Sequence, residues 1–109
     1  MELDPGDIVS VDFPFSDGTE TKRRPALVLS GKAIEHTGDI LLMQITSKTK
    51  NQLNVLLTGA DLTVPLPLKS FLRLHKVFTL DRSLVIKKIS HLNEEKFRQV
   101  VSALFELLK

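Results

Sequence analysis

The chain has 109 residues, a formal net charge of +2, and no Cys, Trp or Tyr. Without cysteine there is no disulfide framework, thiolate nucleophile, Cys-ligated zinc or iron–sulfur cluster. The length suits one core, read as a single domain over residues 1–109, and 42% hydrophobic with 26% charged residues is the balance of a folded globular chain.

Asp4-Pro5-Gly6 is turn chemistry, and Asp7 to Phe13 alternates with period two, Val9, Val11 and Phe13 on one face and Ser10 and Asp12 on the other. That is a half-buried strand. Pro14 ends it, and the polar run from Ser16 to Arg24, with Asp17-Gly18 inside, reads as a loop. Pro25 leads into the apolar strand ALVLS, the polar stretch Gly31 to Gly38 is a connection, and Asp39 to Ile45 is a further strand. A second polar, basic loop covers Thr46 to Gln52. The strand Leu53 to Thr58 follows, broken by Gly59. Pro65 and Pro67 cannot donate to a ladder, so their segment is expected to run extended at a sheet edge. Phe71 to Leu80 and Leu84 to Ile89 are two more strands, turned at Asp81-Arg82-Ser83.

At the C-terminus the period changes. Phe97, Val100, Val101, Leu104, Phe105 and Leu108 fall at helical spacing, Asn93 suits the N-cap, and Glu94 and Glu95 suit the positive end of the helix dipole. Leu92 and Phe97 are placed to form a hydrophobic staple. Short strands, compact turns and one amphipathic helix predict a mainly β fold, a small antiparallel barrel or sandwich with the helix packed on the sheet.

Charge is distributed unevenly. Residues 1–20 carry six acids and no Lys or Arg, whereas residues 22–88 carry twelve bases against four acids. A basic surplus gathered on one face attracts phosphates or an acidic peptide; spread over the surface it serves solubility. The N-terminus has neither a basic n-region nor an apolar h-region, and no stretch nears the roughly 18 apolar residues of a membrane span. A soluble, cytoplasmic protein without membrane contact is expected. His36, His75 and His91 show no metal-binding spacing. No metal site is predicted. His36 falls in a loop-like segment, while His75 and His91 read as partly packed.

Both polar loops follow apolar strands and both carry bases, as binding loops on a rigid sheet do. Pro25 fixes the chain direction beside Arg24, whose planar fork of donors matches phosphate oxygens. Thr46, Ser47 and Lys48 add two hydroxyls and a point charge. These are parts of a phosphodiester site, although each also has a plain reading as solvated edge or turn residue.

The string GDIVSVDFPFSDGTETKRRPALVLS, then DILLMQITSK, then LHKVFTLDRSLVIKKISHLNEEKF, resembles the PemK/MazF family of toxin–antitoxin ribonucleases over nearly the whole chain. The most specific pieces are Gly6-Asp7-Ile8-Val9, Arg24-Pro25, Ile45-Thr46 and Thr79-Leu80-Asp81. The resemblance implies an SH3-like small antiparallel β-barrel with a C-terminal helix, usually a homodimer. It further implies sequence-specific cleavage of single-stranded RNA without metal or cofactor, leaving 2′,3′-cyclic phosphate and 5′-hydroxyl ends. A cognate antitoxin with an acidic, flexible tail is the implied inhibitor. Arg24 and Thr46 correspond to catalytic residues of the family, and Phe15, Lys22, Arg23, Ser47, Lys48 and Lys76 are placed as RNA-binding residues. Glu20 matches only weakly the acid that some relatives carry in the first loop.

Cleavage by a neighbouring 2′-hydroxyl requires removal of its proton, stabilisation of the crowded phosphate and protonation of the leaving 5′-oxygen. A guanidinium suits the second task but keeps its own proton at neutral pH. His36, Glu20, a water or a transiently neutral arginine are left as proton acceptors. Two other functions compete: a gyrase-directed toxin of related fold, CcdB-like, and an RNA-binding module without catalysis.

Overall fold

A computed structural model describes residues 1–13, 22–48 and 53–109. Within these, β1 (Asp7–Phe13), β2 (Lys22–Val28), β3 (Asp39–Thr46), β4 (Asn54–Leu57), β5 (Ser70–Asp81) and β6 (Val85–His91) form an antiparallel sheet in the order β4-β5-β3-β2-β1-β6. The helix α1 (Lys32–Glu35) is one turn between β2 and β3, and α2 (Glu94–Leu107) closes the chain. The fold is mainly β with a C-terminal helix, as expected.

The central strands bury both faces, which is why they read as continuous apolar runs rather than clean alternations. Val9, Val11, Ala26, Val28 and Leu42 form one cluster, with Leu3, Leu80 and Val85. The alternate residues Ile8, Leu27, Met43 and Ile45 form the other, together with Leu72, Leu74, Leu92 and Val100. Alternation along each strand puts the two clusters on opposite sides of the sheet.

The helix packs on the second cluster through Val100, Phe97 and Leu104. Asn93 caps it by accepting a hydrogen bond from the Lys96 N–H at 2.7 Å. Leu92 is fully buried in the same cluster as Phe97, the expected staple. The outer half of the stripe differs from expectation: Val101, Phe105 and Leu108 are exposed, Phe105 by 67%.

Three further expectations shift. The first basic cluster lies in β2, which begins at Lys22, so Lys22, Arg23 and Arg24 extend a strand instead of ending a loop. Their pairing with Phe13, Asp12 and Val11 of β1 supplies the reason. The connection between β2 and β3 contains a helical turn. Residues 65–69, expected extended at an edge, join no ladder.

No ladder pairs β4 with β6 among the described residues, so hydrogen bonding does not close the sheet into a barrel. The chain after β4 instead reaches the end of β6. Leu62 bridges to Leu92, Thr63 N–H donates to His91 C=O at 2.9 Å, and Asn93 N–H donates to Asp61 C=O at 2.8 Å. The buried Ser90 hydroxyl donates to Val64 C=O at 2.7 Å and accepts from its N–H at 3.1 Å.

A carboxylate fixes the start of the sheet. Asp7 is 2% exposed and accepts from the Asp4 N–H at 2.8 Å, while its oxygens lie 2.7 Å from His91 Nδ1 and 3.2 Å from Lys88 Nζ. Burial alone raises its pKa; the Asp4 N–H, His91 and Lys88 together outweigh burial and hold it below the ordinary 3.8. Beside it Gly6, at φ +98°, donates to Val28 C=O and accepts from Leu92 N–H, and a Cβ there would meet His91 Cε1 at 3.1 Å.

Candidate nucleic-acid interface

The β2–β3 ladder pairs Val28 with Leu42, Leu27 with Met43 and Ala26 with Gln44, then stops. The next residue of β2 is Pro25, which has no N–H to give. Two residues further in the same register stand Arg24 and, opposite it, Thr46, the last residue of β3. Period-two alternation turns both side chains to one face. Both are half-buried, and together they line two clefts, one on each side of the seam.

The first cleft, of about 560 Å³, is basic. Lys22, Arg24, Lys48, Arg73 and Lys76 line it, with His75, Gln44 and Thr46, and Phe13, Val77 and Phe78 form its apolar walls. Its described lining contains no carboxylate. Arg73 is steadied by donating from Nη1 to the Gln44 side-chain oxygen at 2.9 Å.

The second cleft, of about 350 Å³, is walled by Pro25, Ile45, Leu66, Pro67, Leu68 and Ile89. The hydroxyl-bearing Ser10, Ser47 and Ser70 also line it, as do Arg23, Lys48 and Lys87. Leu68 is 65% exposed, an apolar side chain held in solvent beside the seam. Arg23 is partly engaged elsewhere, its Nε 3.6 Å from the Asp12 carboxylate.

Thr46 Oγ1 accepts from the Lys48 N–H at 3.2 Å, which is the turn role open to it from sequence. A hydroxyl accepting one bond still has its proton to donate. The turn therefore leaves the Thr46 O–H available in clefts that Arg24 also lines. Such a pair can hold a tetrahedral anion by several donors at once and stabilise added charge on it.

Of the residues singled out from sequence, Arg24, Thr46 and Lys48 border both clefts, Lys22 and Lys76 the basic one, and Arg23 and Ser47 the apolar one. Phe15 and Glu20 lie outside the described residues. His36 lines a separate cleft with Glu2, Asp4, Lys32 and Glu35, so the structure does not bring it to the pair. His75 is exposed and lines the basic cleft, a correction to its reading as partly packed. Sequence reasoning also passed over Arg73, Lys87 and the Leu66–Leu68 segment. The alternation Leu72-Arg73-Leu74-His75 was the available signal, since it turns Arg73 and His75 away from the core face of Leu72 and Leu74.

A sheet protein with cationic and apolar clefts meeting at an Arg–Thr pair belongs to the class equipped to hold a polyanion with apolar substituents. Residues 4–108 match the model of the PemK-like, MazF-like toxins of type II toxin–antitoxin systems, and the chain belongs to that family. None of the curated protein sequences matches it significantly. Among solved structures it is similar to MazF of Deinococcus radiodurans, with 26% identity, a TM-score of 0.78, and 99% of this chain and 97% of that one covered. A MazE–MazF complex from the same organism matches at 26% identity and a TM-score of 0.79, covering 97% and 95%. An endoribonuclease in complex with its cognate antitoxin, from a mycobacterial species, shares the fold at 18% identity and a TM-score of 0.74, covering 97% and 92%. No helix among the described residues is long and apolar enough to cross a membrane.

Proposed function

We propose that this toxin is a sequence-specific endoribonuclease that cuts single-stranded RNA, mRNA included, without a metal or cofactor. The observation that carries the reading is that Arg24 and Thr46, 22 positions apart in sequence, line the same two clefts. The 2′-oxygen attacks the adjacent phosphorus, the bond to the 5′-oxygen breaks, and the products carry a 2′,3′-cyclic phosphate and a 5′-hydroxyl. Arg24 neutralises the charge that builds on the phosphate oxygens, and Thr46 donates a hydrogen bond to one of them. Lys22, Lys48 and Lys76 hold the flanking backbone. Arg23 and Ser47 touch the nucleotide on the apolar side, where a nucleobase enters between Leu66, Leu68 and Ile89. Phe15 is assigned to RNA as well.

The cognate antitoxin of this reading carries an acidic, flexible tail that competes for the basic cleft. An acidic peptide displaced by salt and by RNA alike would support it; one that binds elsewhere would remove it. The toxin acts as a homodimer, and the exposed Val101, Phe105 and Leu108 supply apolar surface for a second copy. Sedimentation velocity checks this: Phe105→Glu is expected to yield a monomer.

The deciding experiment incubates the purified protein with RNA of mixed sequence in a chelator and maps the ends. Cyclic phosphate and 5′-hydroxyl ends are expected, while an all-DNA copy stays intact. RNA bound but uncut would instead fit a non-catalytic module. Neither binding nor cutting would fit a gyrase-directed toxin.

A further inference from the structure

The β3–β5 ladder carries a large irregularity next to Arg24 and Thr46. Met43 pairs with Val77 and Ile45 with Leu72, so the single residue Gln44 stands opposite Arg73, Leu74, His75 and Lys76. Bulges bend the longer strand and re-aim its side chains. Here Leu74 stays in the core, its N–H donating to Leu53 C=O at 3.2 Å, while His75 and Lys76 are left exposed on the cleft. Arg73 is tied to Gln44, yet no described side chain hydrogen-bonds the His75 ring.

Attack by a 2′-hydroxyl needs a proton acceptor, and the charged groups facing His75 cannot serve at neutral pH. They are Lys22 and Arg24 from β2, Lys48 beyond β3, and Arg73 and Lys76 from β5 itself. All are cationic donors with no vacant lone pair when charged, and Gln44 and Thr46 are neutral. Among the described residues lining this cleft, His75 carries the one imidazole, whose neutral form has a ring nitrogen lone pair to accept a proton.

Building on the ribonuclease reading, we propose that His75, carried into the cleft by the β5 bulge, is the general base that removes the 2′-proton. The unprotonated ring nitrogen takes the proton as the 2′-oxygen bonds to phosphorus. The bond from phosphorus to the 5′-oxygen breaks, and that oxygen takes a proton from water. The resulting hydroxide is neutralised by the proton that the imidazolium releases to solvent.

The test is single-turnover cleavage of mixed-sequence RNA by the wild type, His75→Gln, His75→Ala and His36→Gln, with affinity measured on a 2′-O-methylated copy that has no proton to lose. The His75→Gln rate is expected to fall by about 10²- to 10⁴-fold, with affinity kept within about threefold. The logarithm of the wild-type rate should rise with pH to a plateau, and this limb should vanish in His75→Gln. Added imidazole should restore part of the His75→Ala rate, and His36→Gln should cut like the wild type. A His75→Gln rate within about threefold of wild type overturns the proposal, as does persistence of the pH limb, leaving the ribonuclease reading intact. Loss of activity in His36→Gln with His75→Gln unaffected overturns it equally. If the wild type leaves RNA uncut, both fall together.

Discussion

Arg24 and Thr46 look onto two clefts of opposite character. On one side five Lys and Arg side chains crowd a space of about 560 Å³ without a carboxylate in the described lining. On the other, Pro25, Ile45, Leu66, Pro67, Leu68 and Ile89 wall a space of about 350 Å³. Cations recognise every phosphate alike, and their contribution falls with salt; apolar walls respond to the size and shape of what enters and are largely indifferent to salt. On the proposed reading, one sheet would separate holding a strand from reading it, with the chemistry at the border. Substitutions on the two sides should accordingly change different observables.

The largest effect is expected at the border itself. Arg24→Ala removes a donor shared by both clefts, and cleavage is expected to drop about 10³-fold, close to 4 kcal/mol of transition-state stabilisation. Circular dichroism should show an unchanged fold, since Arg24 belongs to neither buried cluster. Full cleavage by this variant would dissolve the border as a working site.

The next effect is on stability. The apolar side depends on β6, which brings Lys87 and Ile89 to the cleft and is pinned to β1 through Asp7, Lys88 and His91. Asp7→Ala removes the buried acceptor shared by the Asp4 N–H, His91 and Lys88 and is expected to cost about 2 kcal/mol in urea denaturation. The pH dependence has a definite sign. The folded-state pKa of Asp7 is depressed, so its stabilisation is complete above the ordinary value of 3.8 and is lost as pH falls through the lower folded value. Wild type should therefore lose stability in that acid window, and Asp7→Asn should lose less. Identical acid profiles would show that the pin contributes nothing.

The sequence was most informative where structure is local. The β1 alternation, the Asn93 cap and the Leu92–Phe97 staple each depend on residues within five positions of one another, and each can be recognised along the chain. Arg24 and Thr46 were reached through motifs beside a proline and at a strand end. What escaped was set by pairing between distant strands. The alternation from Leu72 to His75 turns Arg73 and His75 away from the core, but their meeting with Arg24 in one cleft follows from surplus residues of β5 opposite Gln44, a mismatch that neither strand shows alone. Leu66 and Leu68 flank a proline that suggested an edge strand, whereas their segment lines the apolar cleft outside any ladder. Helical periodicity likewise identified the α2 stripe but not which of its residues the core would cover.

The smallest effects make the sharpest comparison. Leu68→Ser takes apolar surface from one cleft and is expected to change the preference for the base at one position by about tenfold, near 1.4 kcal/mol, without changing the salt slope of binding. Lys76→Ala, on the other side, should weaken binding only about threefold at physiological salt, equally for all sequences, and lower the salt slope by about one. Binding of 2′-O-methylated RNA at several salt concentrations measures both slopes, and sequencing of cleavage ends from a random RNA pool measures preference. A Lys76→Ala variant that alters the preferred sequence, or a Leu68→Ser variant that alters only the slope, would mean that the strand crosses the Arg24–Thr46 seam in the opposite sense, with its bases over the cations and its backbone along the apolar wall.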